Sequence, residues 1–285
     1  MSESPKAICL LPLLYFQSHP IDKFKLRSNV SLRKINSSEI RTIQERSGRG
    51  DYPFDQLDIE RINYTLEKKI YFKDLSSFNK ALEQLLNLVL SMRLYKQGAV
   101  GYKAGILLVK EHPRIIHAFN IEPRHPSIVP IMAKEKTPKK PVFALLTLLE
   151  EELREYASFC KKVSKFGGRE EKWPLPIRYF SRMYEAGPYE DTLVNCMISF
   201  EALVFKGEKE LREKQTPLAL AVSMLIGENS KEREKVKATL KQAYTIRNDI
   251  VHGKHPRTSK VEIKTLCWEI EDYLRRSIRK LLIEE

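Results

Sequence analysis

Arg247 and His252, five residues apart near the end of a 285-residue chain, pair a permanently charged guanidinium with a side chain able to exchange protons near neutral pH. Together they suit an anion, with a fixed positive charge beside a group that can take up or release a proton. Their setting is Ala243-Tyr244-Thr245-Ile246-Arg247-Asn248-Asp249-Ile250-Val251-His252-Gly253. Val236, Leu240, Ala243, Arg247 and Ile250 recur at alternating steps of four and three, the spacing of a core-facing stripe on an amphipathic helix. Arg247 therefore stands where a leucine would fit. A guanidinium loses several kcal/mol on burial unless paired, so it needs a partner, a wet cleft or a ligand.

Asn248 and His252, four apart, share one side of that helix, whereas Arg247 and His252 diverge by roughly 140° while the helix stays unbroken. Gly253 suits the left-handed residue just past a helix end, and Pro256 forbids continuation. His252 is thus expected in the last turn or at the cap, where it and a reaching arginine can meet one anion. Upstream, the stretch Leu193 to Phe205 is apolar on nearly every side, and Val194, Ile198, Glu201 and Phe205 form one stripe. Glu201 is expected to be buried and to lie close to Arg247, because each charge would be costly alone. The plainer alternative is that this pair only holds two helices in register.

The elements that must position these residues divide into an α+β part, residues 1–122, a proline-rich connector, 123–140, and an all-α helical bundle, 141–285. In the first part Ala7 to Phe16, Ile62 to Phe72, Gly98 to Val109 and Ile115 to Ile121 read as strands. Asn36-Ser37-Ser38-Glu39 is a capping box opening a short helix, and Ser76 or Ser77 caps another carrying Phe78, Leu82, Leu85, Leu86 and Val89. Pro141 suits the first turn of a long helix ending near Phe166. Further helices are expected from Asp191, from Pro217, from a cap at Ser230, and from the capping box Ser259-Lys260-Val261-Glu262, giving about five in all.

Arg-Asn-Asp-Ile-Val-His, Arg247 to His252, resembles the R-x4-H signature of HEPN domains, and the flanking Tyr244 and Gly253 resemble the ApeA-like branch. Ile177 to Tyr184, then Tyr189 to Leu193 leading into Ile198-Ser199-Phe200-Glu201-Ala202-Leu203, is similar to that family's helix pair with its E-A-L segment. Ser91 to Val100 resembles an L-R-L-x-K-x-G-x-V stretch that precedes such domains. The resemblance implies a HEPN-like bundle and metal-independent RNA cleavage, in which the ribose 2′-hydroxyl attacks the adjacent phosphate and leaves a 2′,3′-cyclic phosphate. It implies Arg247, His252 and Asn248 as catalytic residues, the asparagine orienting the histidine or donating to a phosphate oxygen, and Glu201, Asp249 and Tyr244 as supporting ones. One copy offers one histidine at the motif, so a homodimer through the bundle would supply both a base and an acid. The family also implies a role in prokaryotic antiviral defence or a toxin system, with an antitoxin or defence-system partner.

A net charge of +13 suits a polyanion such as RNA, although a lysine-rich solvated surface gives the same number. Lys254, His255 and Arg257 can form a positive rim for RNA phosphates, against the default of a solvated loop. Cys9, Cys160, Cys196 and Cys267 are far apart, which argues for a reducing, cytoplasmic setting and against zinc. His19, His112, His117 and His125 lack metal-ligand spacing, and neither metal nor cofactor is expected. The apolar run Ala7 to Phe16 is too short to span a bilayer. No phosphate-cradling glycine loop or nucleophile elbow is present. Two other readings stay open: a non-catalytic RNA-binding or protein-interaction module, and a sensor whose α+β part binds a ligand or phage component.

Overall fold

The segment KAICLLPL is apolar on both faces, and such a strand is stable only between neighbours and under cover. In a computed structural model describing residues 6–19, 21–48, 54–109, 112–120, 145–166, 173–184, 188–205, 213–254 and 258–283 it is the strand β1, Lys6–Leu13, inside a sheet. The described residues fall into two compact units, one holding those up to 120 together with 145–166, the other 173–283.

In the first unit β1 is followed by β2 (Phe16–His19), β3 (Lys23–Arg27), β4 (Val30–Lys34), α1 (Ser37–Gly48), α2 (Gln56–Arg61), β5 (Tyr64–Tyr71) and α3 (Leu75–Tyr95). Then come β6 (Ala104–Val109), β7 (His112–Asn120), β8 (Leu146–Leu149) and α4 (Glu150–Val163). Among the described residues six strands form an antiparallel sheet in the order β3-β4-β5-β1-β6-β7, while β2 pairs in parallel with β8. The first strand is therefore shorter than Ala7 to Phe16. Tyr15 at φ 59° breaks it, and the chain turns to pair elsewhere. The strand read from Gly98 begins only at Ala104, and β3, β4 and α2 were not anticipated.

α3 lays Phe78, Leu82, Leu85 and Val89 into the core beneath the sheet, with Asp74, not Ser76 or Ser77, as its cap. The capping box at Asn36 forms as read, the Asn36 carboxamide accepting from the Glu39 amide at 2.8 Å. The helix expected from Pro141 starts at Glu150, because Leu146–Leu149 is drawn into β8 beside β2. It packs on α3, where the Tyr156 hydroxyl donates to the Leu88 carbonyl at 2.9 Å and lies 2.9 Å from Ser91 Oγ. The connector 123–140 lies outside the described residues.

The stretch Ser91 to Val100 works as the joint for this insertion. Arg93 donates to the Val100 carbonyl at 3.0 Å, Lys96 meets Glu152 at 2.7 Å, and Gly98, at φ +152°, lies against β8. A Cβ on Gly98 would sit 2.6 Å from Leu146 Cα, so backbone would have to move. Gly98→Ala is expected to lower stability in urea by about 1–3 kcal/mol. Gly101→Ala, with nothing within 4 Å, is the control, and equal losses at both positions would refute the close-approach argument.

The second unit is helical: α5 (Leu175–Met183), α6 (Tyr189–Phe205), α7 (Gln215–Ile226), α8 (Ser230–Val251) and α9 (Lys260–Ile278), then a π-helical turn, Arg279–Ile283. α6 is apolar nearly all round because it is central, touching α5, α7, α8 and α9. α5 thus takes the place expected for the helix from Pro141. Asn229 rather than Ser230 caps α8, while the Ser259 capping box opens α9 as read. α9 buries Leu266, Ile270, Leu274 and Ile278, but Leu281 is half-exposed. An N-terminal α+β region followed by a mostly helical region is therefore the architecture of the chain. Among the described residues no helix is long and apolar enough to cross a membrane.

Candidate functional site

α8 ends by a mechanism written in its last residues. His252 is the C-cap, Gly253 takes φ +70°, the Gly253 amide donates to the Ile250 carbonyl at 3.0 Å, and the Lys254 amide donates to that of Asp249 at 2.8 Å. This double closure is the Schellman arrangement, in which a left-handed glycine satisfies two carbonyls that the helix end leaves orphaned. It leaves His252 exposed at the edge of the last turn, its amide tied to the Asn248 carbonyl at 3.0 Å.

One turn back, α8 presents Arg247 to α6. Arg247 Nη2 lies 3.4 Å from Glu201 Oε1, so the two charges that interrupt apolar stripes do meet. Neither is deeply buried, contrary to the reading of Glu201; their side chains are 21% and 19% exposed, enough for solvent to screen the pair. Lys214, at the N-cap of α7, adds a second cation 3.7 Å from Glu201 Oε2. The Tyr244 ring lies under the Arg247 guanidinium, 5.7 Å from its centroid to Cζ. Burial, followed by the nearby Glu201 carboxylate, pushes the Tyr244 hydroxyl above its ordinary value and keeps it a proton donor toward that carboxylate.

Asn248 Oδ1 accepts from Arg247 Nη1 at 3.0 Å, a contact that holds the guanidinium. Arg247 Nε and Glu201 Oε1 are both buried without a hydrogen bond. The pair is thus an ionic contact with a spare donor, unlike a closed bidentate fork. Asp249 Oδ1 lies 4.0 Å from Lys254 Nζ, and Lys254 is exposed. His255 and Arg257 lie outside the described residues. Arg247, Lys214 and Lys254 face the carboxylates of Glu201 and Asp249, and the Glu213 carboxylate also acts on Tyr244, so these charges balance before His252 is counted.

Lys214 is the residue the sequence reading missed. It closes a run of mixed charge, 206–214, that fits an exposed loop or a helix end, and 206–212 lie outside the described residues. The available signal was its place directly before Gln215-Thr216-Pro217, a helix start. Other nucleophiles are poor. All four cysteines are buried and form no disulfide, and burial pushes the Cys9 and Cys267 thiols up to about 12, so both stay protonated. Among the described residues no group of three His, Cys, Asp or Glu side chains could hold a metal ion. Comparison of the chain with protein-family models, curated proteins and solved structures gave no match.

Proposed function

We propose that the chain is a metal-independent endoribonuclease of HEPN type, cytoplasmic and dimeric, that cleaves RNA by attack of the ribose 2′-hydroxyl on the adjacent phosphate. Arg247 is the observation that carries this reading. It is held by Asn248 and Glu201 beside a helix end bearing an exposed histidine, yet keeps a buried N–H with no acceptor. The Arg247 side chain is 21% exposed, so outward N–H groups of its guanidinium are open to a phosphate oxygen. In the cleavage, the proton leaves the 2′-hydroxyl for one His252, the oxygen bonds to phosphorus, and the 5′-oxygen departs with a proton from a second His252. Arg247 offsets the charge that grows on the phosphoryl oxygens between these events. Exposed Val251 and Val261 lie on either side of the His252 turn in the chain, and they offer apolar surface for a second copy. Prokaryotic defence or a toxin system, with an antitoxin or defence partner, is the setting this chemistry fits.

The chemistry is tested by incubating purified protein with single-stranded RNA in excess EDTA and identifying the new ends. The expected products carry a 2′,3′-cyclic phosphate and a 5′-hydroxyl, and the rate per chain rises with protein concentration until dimers saturate. Products with a 5′-phosphate, or full dependence on a divalent ion, would refute the reading. A second reading has its own support: the contacts of Arg247 with Glu201 and Asn248 are those of a structural arginine in a non-catalytic RNA-binding or protein-interaction bundle. Binding of RNA without cleavage would favour it.

A further inference from the structure

The first unit contains a cavity of about 670 Å3 that has no part in the chemistry at Arg247 and His252. Small-molecule sites occupy roughly 300–1,000 Å3, so its size is that of a metabolite and not of a folded polymer. One wall is a single face of α1, since Ser37, Ile40, Arg41 and Gln44 follow at steps of three, one and three. Gln17 and Ser18 of β2, Lys34 at the end of β4 with Ile35 after it, and Ile62 to Tyr64 complete it.

Its polar groups separate by whether they are already used. Ser18 Oγ donates to the Leu148 carbonyl at 2.8 Å, and the Tyr64 hydroxyl donates to the Ser18 carbonyl, so both serve the fold. Gln17, Gln44 and Asn63 have no side-chain hydrogen bond among the described residues, and Arg41 has neither a hydrogen bond nor an ion pair there. Lys34 meets only Asp22, at 2.9 Å, in a pair exposed on both sides that a stronger anion can displace. In the first turn of α1 the Ser37 and Ser38 amides are also unpaired among the described residues, while the Glu39 carboxylate is neutralised by Arg33 at 2.7 Å.

One unpaired cation, Arg41, and a second, Lys34, held only in an exposed pair, together with two unpaired helix-start amides, suit a phosphate. Three free carboxamides, each both donor and acceptor, suit the edge of a heterocycle, and Ile35, Ile40 and Ile62 give its ring an apolar bed. We infer that this cavity binds a nucleoside monophosphate, with the phosphate at Lys34, Arg41 and the start of α1 and the base against Gln17, Gln44 and Asn63.

The test is calorimetric titration of the full chain with AMP, GMP, CMP and UMP in turn, with inorganic phosphate as the fragment control. One of the four is expected to bind with a Kd below about 100 μM, at least about tenfold more tightly than phosphate. Arg41→Ala should weaken it at least about tenfold, while Arg247→Ala should leave it unchanged and so separate this cavity from the helical site. Asn63→Ala should weaken the nucleotide and spare phosphate. Both cavity positions to be changed, Arg41 and Asn63, are exposed, and equal melting temperatures confirm folded variants. No binding at about 1 mM nucleotide, binding equal to that of phosphate, or loss in Arg247→Ala but not in Arg41→Ala would each overturn the inference.

Discussion

Replacing His252 by alanine is expected to cut RNA cleavage by about 10²–10⁴-fold while leaving stability within about 0.5 kcal/mol of the parent. The two expectations separate because of where the residue sits. Its side chain is exposed, and the cap hydrogen bonds at this helix end are made by backbone amides and depend on Gly253. Arg247→Ala should lose about 10²–10³-fold in rate and also about 1 kcal/mol of stability, since Glu201 would keep only Lys214 as a countercharge. Arg247→Lys keeps the charge but not the fork, so it should recover stability better than rate. A mixture of His252→Ala chains with Arg247→Ala chains gives one further readout if each half of a site comes from a different copy. Cleavage by His252→Ala at the parent rate would remove the histidine from the chemistry and leave the structural reading of the motif.

The largest stability effect is expected in the first unit, at Lys103. Its ammonium lies on the carboxylate of Asp58, which is 0% exposed, and 3.6 Å from Asp55 Oδ2. Asp58 is also the third residue of α2, where its Oδ2 accepts from the Asp55 amide at 3.1 Å and its own amide donates to Asp55 Oδ1 at 2.8 Å. Lys103→Met would leave a buried carboxylate without its countercharge, at a cost of about 3–5 kcal/mol in urea unfolding. Burial already pushes the Asp58 carboxyl above its ordinary value, and removal of the lysine, which opposes that shift, should raise it further. A carboxyl raised in the folded state contributes stability at low pH that is lost as pH rises through the folded value. The deficit of Lys103→Met should therefore shrink as pH falls from about 8 toward about 5. Adding Asp58→Asn removes the stranded charge and should recover about half of the loss at neutral pH. If the double variant is no more stable than the single one, lost packing by Lys103, and not charge, sets its value.

Local patterns carried most of the helical unit. A stripe at steps of three and four needs no knowledge of the partner, so α6, α8 and α9 were legible, as were the boxes at Asn36 and Ser259. Where several polar residues cluster at a helix start the cap was misplaced, from Asp74 to Ser76 or Ser77 and from Asn229 to Ser230, because each of these types can accept the same amides. β3 was hidden by its composition: Lys23-Phe24-Lys25-Leu26-Arg27 alternates, but its charged residues read as surface loop. β8 failed for another reason. Leu-Thr-Leu-Leu before Glu-Glu-Glu fits a helix start as well as a strand, and only a distant partner decides. In the candidate site, Glu201 and Arg247 were legible because each breaks an apolar stripe. Lys214 was not, since a lysine in a run of mixed charges breaks no pattern. Asp58 and Lys103 lie 45 positions apart, and the Asp-x-x-Asp box at α2 was the only local sign of the pair.

The pairing of β2 with β8 bears on how the chain is made. Ser18 Oγ reaches the Leu148 carbonyl across 130 positions, and among the described residues β8 is the one strand that pairs with β2. Joining ends so far apart slows folding, because the entropy of the loop is lost before the strand contacts reward it. During synthesis the first unit must wait with the edge of β2 unpaired until residues 145–149 have emerged. At about 5–20 residues per second that is an interval of several seconds, in which the open edge is available to a chaperone or to another nascent chain.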